Sequence, residues 1–147
     1  MKWAAILLIL FIVITGCSKV KDYYGGITKD KLTDITKDPK LEYLHEFKGH
    51  TNNWGAMMYF YKSKDSEKVS TRGYLIYNGK EELSTGEITI LYQIDKETGS
   101  FGMATASKNP PIFPFLFSSS TSPTSASKIK IVVQTREKSE TIELKMD

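Results

Sequence analysis

The chain has 147 residues, of which 40% are hydrophobic and 25% are charged. This length allows one domain, and the composition is too apolar for a wholly disordered chain. The net charge is +3, and from residue 41 onward 13 basic residues balance 13 acidic ones. Because a nucleic-acid-binding protein needs a concentrated basic face, nucleic acid is not a predicted partner. A single cysteine excludes an intrachain disulfide and a cysteine-rich zinc site.

An apolar leader opens the sequence. One lysine, Lys2, precedes an uncharged run over residues 3–16. A spanning helix needs about 20 apolar residues, whereas the apolar centre of a secretory signal has about 7 to 15. A buried N-terminal helix is the alternative, but residues 4–13 contain no polar residue at helical spacing. The sequence therefore predicts a signal peptide over residues 1–16.

The leader ends in the residues Ile14, Thr15, Gly16 and Cys17. A branched apolar residue, a small residue, glycine and then cysteine resemble the lipobox of bacterial lipoproteins. The resemblance implies cleavage between Gly16 and Cys17, and a diacylglyceryl group, with acyl chains such as palmitate, on the Cys17 thiol. Two acyl chains anchor a protein firmly, since each buried CH₂ contributes about 0.8 kcal/mol. We therefore expect a lipid-anchored protein on the extracytoplasmic face of the cell membrane.

The type of cell envelope stays open. In a cell with two membranes, Ser18 after the cysteine implies export to the outer membrane. The Lys- and Ile-rich composition resembles that of low-GC Gram-positive bacteria instead. The closing segment 128–145 also resembles the last hairpin of small uncharacterised lipoproteins from such organisms, a likeness that implies no activity.

Residues 17–40 predict a lipidated N-terminus followed by a flexible tether. Lysine and aspartate alternate loosely there, Gly25 and Gly26 interrupt any periodicity, and Pro39 closes the segment. The alternative is a short helix over residues 29–35 that begins at Thr28 as its cap.

Residues 41–147 have the apolar periodicity of β-strands. Apolar and polar residues alternate most clearly in the segments 87–94, 101–105, 129–134 and 141–146. The segments 54–61 and 73–77 are apolar on both faces, which is typical of central or covered strands. Seven strands without a convincing amphipathic helix predict an all-β domain. We expect an antiparallel β-sandwich of immunoglobulin-like size, with a small closed β-barrel as the alternative.

A Pro- and Ser-rich segment over residues 107–127 interrupts the strands. It holds four of the five prolines and seven serines, which predicts a loop. Its first half contains Phe113, Phe115 and Phe117. Either these rings fold over the second apolar face of the central strands, or they form an exposed contact loop for a membrane or a partner.

The sequence contains no recognisable catalytic or cofactor motif. There is no glycine-rich phosphate loop and no nucleophile elbow, so no cofactor is predicted. The two histidines, His45 and His50, would face opposite sides of a strand because their positions differ by five, an odd number. No metal site is predicted, and an enzyme is not expected.

One candidate ligand surface remains, formed by aromatic residues of segments that we expect to be neighbouring strands. Such rings stack on sugars or peptides, although in a sandwich they also serve as core. The residues are Trp54, Tyr59, Tyr61, Tyr74 and Tyr77. The sequence therefore predicts a lipid-anchored binding or interaction module of unknown ligand. The alternative is a structural or assembly accessory of a membrane protein complex.

Overall fold

The computed structural model describes residues 21–83, 86–104 and 111–147, so the predicted signal peptide and lipobox lie outside the described residues. Most of this part of the chain forms strands, which confirms the all-β class. The strands are β1 (Leu41–His50), β2 (Trp54–Ser63), β3 (Val69–Tyr77), β4 (Glu87–Ile94), β5 (Glu97–Ala104), β6 (Ile112–Ser119), β7 (Ile129–Gln134) and β8 (Ser139–Met146).

All eight strands belong to one antiparallel sheet in the order β5-β4-β7-β8-β1-β2-β3-β6. The sheet curls until it is nearly closed as a barrel. Side chains join the two end strands, because the rings of Phe101 in β5 and Phe115 in β6 lie 5.0 Å apart. The arrangement is therefore closer to the small barrel that we gave as the alternative, and the described residues form eight strands where we expected about seven.

The main hydrophobic core lies on the concave face of the sheet. Alternate residues of the strands point inward, as the period-two pattern predicts. The fully buried members include Phe47, Met58, Phe60, Leu75, Ile90, Ile94, Ile131, Val133 and Ile142. The predicted alternation over 87–94, 129–134 and 141–146 is thus confirmed.

Strand β2 is buried on both faces, as its sequence predicts, and the cover of its outer face comes from the segment before β1. Met57 and Tyr59 point outward and form a second apolar cluster with Leu32 and Ile35. These two covering residues come from the segment before β1, and both are buried. The Phe-rich segment does not cover this face, which was one of the two alternatives given for its rings.

The segment over residues 21–40 is therefore packed where we expected a flexible tether. It contains a 3₁₀ turn at Lys29–Lys31 and a short helix, α1, at Thr33–Thr36. This matches the alternative prediction of a short helix, although the Thr28 side chain makes no capping hydrogen bond. The prediction of a tether fails because this otherwise polar segment buries Leu32 and Ile35 against the sheet. The folded unit begins before residue 41.

The Phe-rich part of the predicted loop forms strand β6. It pairs with β3 from Val69↔Ser119 to Ile76↔Ile112. A proline is tolerated here because β6 is an end strand, where a missing N–H need not break a ladder. Gly73 makes room for the neighbouring ring, since a Cβ at that position would lie 2.0 Å from atoms of Phe115. Residues 120–127 remain a loop, as predicted, and residues 105–110 lie outside the described part.

Candidate functional site: a cleft at one end of the barrel

A cleft of about 550 Å³ opens at one end of the barrel. Three strand connections surround it, namely the β1–β2 turn, the chain that leaves β3 and the β7–β8 turn, and Lys21 lines it from the segment before β1. These segments are distant in sequence, and the antiparallel order of the strands places them at the same end. In a barrel of this size the interior is filled by side chains, so the open end is where a ligand finds space.

Two aromatic rings form the floor of the cleft. Trp54 and Tyr77 are opposite each other in the β2–β3 ladder, and their ring centroids are 4.8 Å apart. Trp54 is only 3% exposed, and the Phe113 ring packs 6.1 Å from it on the side of the core. The floor is therefore an extension of the hydrophobic core.

The Tyr77 hydroxyl is held in place by the chain that follows β3. It donates a hydrogen bond of 2.9 Å to the carbonyl oxygen of Glu81. Burial raises the pKa of Tyr77, and the nearby Glu81 carboxylate raises it further. The chain passes so close over the ring that a Cβ at Gly79 would lie 2.2 Å from the hydroxyl oxygen. Glycine at position 79 therefore allows this side of the cleft to form.

The β1–β2 turn forms a second, rigid wall. Glu140 accepts hydrogen bonds from Thr51 Oγ1 at 2.6 Å and from Asn53 Nδ2 at 2.7 Å. The Thr51 hydroxyl oxygen also accepts from the backbone N–H of Trp54 at 3.1 Å. The Asn53 carbonyl accepts from the N–H of Asn78 at 2.6 Å. Because both oxygens of Glu140 are engaged, this wall is fixed before any ligand arrives.

Charged side chains of both signs surround the opening. Lys138 and Glu81 form an exposed ion pair at 3.1 Å across the cleft, between the β7–β8 turn and the segment after β3. Three more charged side chains lie on the lining without a hydrogen bond or ion pair to any described residue: Lys80, Glu82 and Glu137. The Lys21 ammonium donates to two backbone carbonyls, those of Asn52 and Asn78, each at 3.3 Å. The rim therefore offers donors and acceptors in similar number.

The described residues offer hydrogen bonding and charge in this cleft but no cluster of side chains that could hold a metal ion. In the ranges 21–83, 86–104 and 111–147, no three His, Cys, Asp or Glu side chains lie close enough together to hold a metal ion. Neither histidine lines the cleft. His50 stacks on Tyr23 with 3.8 Å between ring centroids, and His45 lies beside Tyr43.

The structure separates the five aromatic residues of the predicted ligand surface. Trp54 and Tyr77 belong to the cleft, whereas Tyr59, Tyr61 and Tyr74 lie on the outer face beneath residues 21–40. Tyr59 is fully buried, and its hydroxyl donates a hydrogen bond of 2.9 Å to Glu46. The prediction of one aromatic surface is therefore wrong. Position 54 and positions 59 and 61 differ in parity, and such residues of a strand face opposite ways.

The alternative in which Phe113, Phe115 and Phe117 form an exposed contact loop is also wrong. The first two rings are buried in the core, and the third stacks on Tyr92 with 4.4 Å between ring centroids. The large hydrophobic side chain that this strand exposes is Leu116, which is 69% exposed. The three phenylalanines are thus not available to a partner.

The predicted lipidation site lies just outside the described part of the chain. Cys17 and the other lipobox residues precede Lys21, the first described residue. No helix within the described ranges has the length and apolar character needed to cross a membrane.

Several cleft residues were not singled out in the sequence analysis. Asn53 and Asn78 lie next to turn signals, TNN at 51–53 and Asn-Gly at 78–79, so a search for polar turns would have found them. No local sequence pattern indicates that Lys21, Lys138 and Glu140 lie close together, because their proximity depends on the strand order.

Comparison with known proteins adds no relative: the chain matches no protein-family model, no curated protein and no solved structure. Its function therefore has to be argued from the sequence motif and the cleft.

Proposed function

We propose that the protein is a lipid-anchored, extracytoplasmic binding module whose ligand occupies the cleft at the end of the barrel. The observation that carries the binding role is the prearranged cleft itself, with an aromatic floor and fixed polar walls. Ligand sites have this character: a concave, largely preformed surface with a few oriented polar groups. The anchor and the location rest on the leader and on the lipobox-like residues up to Cys17.

The polarity of the cleft favours a polar ligand of low net charge. Its rim carries both lysine and glutamate side chains, and its walls present the amides of Asn53 and Asn78. A strongly charged ligand of either sign would meet like charges on this rim, which is unfavourable. Since no nucleophile with a base and no metal-ligating cluster lies among the lining residues, binding without chemistry is the simplest role.

The anchor is tested by comparing the wild-type protein with Cys17→Ser in its bacterial host. We expect the wild type in the membrane fraction, with a mature N-terminus at Cys17 that carries acyl chains by mass spectrometry. The variant should be released or remain an unprocessed precursor. An unmodified Cys17 in cleaved protein would contradict the proposal.

The binding role has its own readout. Trp54 is the only tryptophan in residues 17–147 and lies on the floor of the cleft. Its fluorescence should therefore report an occupied cleft when water-soluble and lipid extracts of the cell envelope are added to the purified, lipidated protein. If no extract changes the emission of Trp54, the proposed binding role is wrong.

A further inference from the structure

The segment that follows the predicted lipidation site is fastened to the rim of the cleft. Asn78 Nδ2 donates a hydrogen bond of 2.9 Å to the Tyr23 carbonyl. The start of β2 also passes close to this carbonyl, because a Cβ at Gly55 would lie 1.9 Å from the Tyr23 carbonyl oxygen. The Lys21 ammonium lies 4.8 Å from the centroid of the Tyr23 ring. The first described residues therefore lie at the cleft, and not at the other end of the barrel.

The covalent geometry of the chain then limits the distance between the anchor and the cleft. Cys17 precedes Lys21 by four residues. A fully extended chain spans at most about 3.6 Å per residue, so their Cα atoms are at most about 14 Å apart. When Cys17 carries its acyl chains, the rim of the cleft must lie beside the headgroup layer of the same membrane.

The charges at the rim match a ligand that carries both a negative and a positive group. Among the described residues, the Lys21 ammonium donates hydrogen bonds to backbone carbonyls and has no carboxylate partner, and Lys80 has none either. Glu82 and Glu137 form no ion pair among the described residues, although the charge of Glu137 stabilises the neighbouring Lys138 ammonium. Two ammonium groups can bind a phosphodiester, and two carboxylates can bind an amine, through charge-assisted hydrogen bonds.

We propose that this cleft faces the bilayer and binds a phosphodiester that bears a cationic amine, as in the zwitterionic headgroup of a membrane phospholipid. This inference rests on the proposed lipid anchor and gives the proposed cleft a ligand class. The same chemistry is present in the free headgroup without its acyl chains, so the two sources have to be separated by experiment.

The test uses the full-length, lipidated protein in detergent, after mass spectrometry has established the modification of Cys17. Glycerophosphoethanolamine is titrated while Trp54 fluorescence is recorded. We expect a saturable change, and binding at least about tenfold weaker for glycerol phosphate, which lacks the amine, and for ethanolamine, which lacks the phosphate, because each loses its charge-assisted hydrogen bonds. Reconstitution into phosphatidylethanolamine vesicles should give the same change in emission, whereas phosphatidylglycerol vesicles should not. A change with the free headgroup but not with the vesicles would overturn the membrane-facing orientation.

Variants of rim residues test whether the change in Trp54 fluorescence comes from a headgroup bound at the rim of the cleft. Lys80→Gln and Glu137→Gln should each weaken headgroup binding by about tenfold, which corresponds to one charge-assisted hydrogen bond. Both side chains are exposed, so the melting temperature should not change. The matched control is Lys96→Gln, because the β4–β5 turn lies beside Lys128 at the opposite end of the barrel. An equal loss in the control would contradict the assignment.

The outcome also separates this inference from the proposed function. If Cys17 is lipidated and a soluble envelope glycan changes Trp54 emission while the headgroup does not, the binding module stands and the headgroup inference fails. If Cys17 is cleaved but unmodified, the proposed anchor fails first.

Discussion

Residues 21–40 and strand β6 both look like loops in the sequence, and both are built into the fold in different ways. Residues 21–40 are polar and dock on the outer face of the sheet through a few apolar side chains, chiefly Leu32 and Ile35. Strand β6 pairs along its whole length with β3 and sends Phe113 and Phe115 into the main core. We therefore expect β6 to be essential for the global fold, whereas residues 21–40 cover one face and can detach.

The largest loss of stability is expected from removal of the two buried rings of β6. Phe113→Ala with Phe115→Ala removes side chains that are 2% and 8% exposed. Each such truncation costs about 3 to 5 kcal/mol, and domains of this size have about 5 to 15 kcal/mol of stability in total. The double variant should therefore unfold or melt far below the wild type in urea and thermal denaturation followed by circular dichroism.

The control for this comparison is a residue of the same strand. Leu116→Ala changes an outward-facing side chain that is 69% exposed, so its effect should stay within about 0.5 kcal/mol. If the Leu116 variant were as unstable as the double phenylalanine variant, the inward and outward faces of β6 would be assigned wrongly.

The second prediction concerns the cover on the outer face. Ile35→Ala should destabilise the docked segment by about 2 kcal/mol, the lower end for a buried isoleucine, because a surface segment relaxes into part of the space. Hydrogen exchange and limited proteolysis should show residues 21–40 opening first while the barrel stays protected. Lys37→Ala, at an exposed position of the same segment, is the control and should behave as the wild type. Simultaneous loss of protection in the strands would contradict a detachable cover.

These two regions also show what sequence patterns can and cannot predict here. The strands with Ile88 and Ile90, and with Ile129 and Ile131, were predicted because burial of one face leaves a local, period-two signal. Strand β6 was missed because Pro114 and its neighbouring prolines indicate a loop. Their tolerance depends on the end position of the strand, which is a property of the whole sheet.

The candidate site divides in the same way. Trp54 and Tyr77 were identified from their residue type, and the parity of the strand positions could have separated them from Tyr59. The partners across the cleft, Lys138 and Glu140, come from a hairpin some 60 residues or more after Tyr77 along the chain. Only the strand order brings them there, and no local pattern encodes that order.

The third prediction tests the junction between the end strands. Glu97 Oε2 accepts hydrogen bonds from the hydroxyls of Ser119, Ser120 and Thr121 and from the Ser120 N–H, at 2.9 to 3.2 Å. Burial alone would raise the pKa of Glu97, but these hydrogen bonds outweigh it, so the pKa lies below its usual value. A carboxylate with a lowered pKa stabilises the fold above its unfolded-state pKa, and this contribution is lost as pH falls through the folded-state pKa.

Glu97→Gln should therefore lower the free energy of unfolding at neutral pH by about 1 kcal/mol, the value for partly solvated hydrogen bonds to a charge. The difference from the wild type should shrink on acidification, because the wild-type carboxyl also becomes neutral. Urea denaturation at several pH values measures both effects. Glu67→Gln, on the exposed β2–β3 connection, should show neither. A difference between Glu97→Gln and the wild type that stays constant from neutral to acid pH would contradict the role of the carboxylate.

The smallest effect is expected from loss of the ion pair between Arg72 in β3 and Asp34 in the docked segment 21–40. Arg72 Nη1 and Nη2 donate to the two oxygens of Asp34 at 2.9 and 2.6 Å. These hydrogen bonds hold the pKa of Asp34 below its usual value. Because the Asp34 side chain is 61% exposed, solvent screens the pair, and Asp34→Asn should cost less than about 1 kcal/mol. Global unfolding should hardly change, whereas hydrogen exchange in residues 29–36 should become faster.

Arg72→Lys keeps the charge but loses the paired geometry, so it should give a similar local effect. High salt should reduce the difference from the wild type for Asp34→Asn. If exchange in residues 29–36 were unchanged in both variants, Leu32 and Ile35 alone would hold the segment on the sheet.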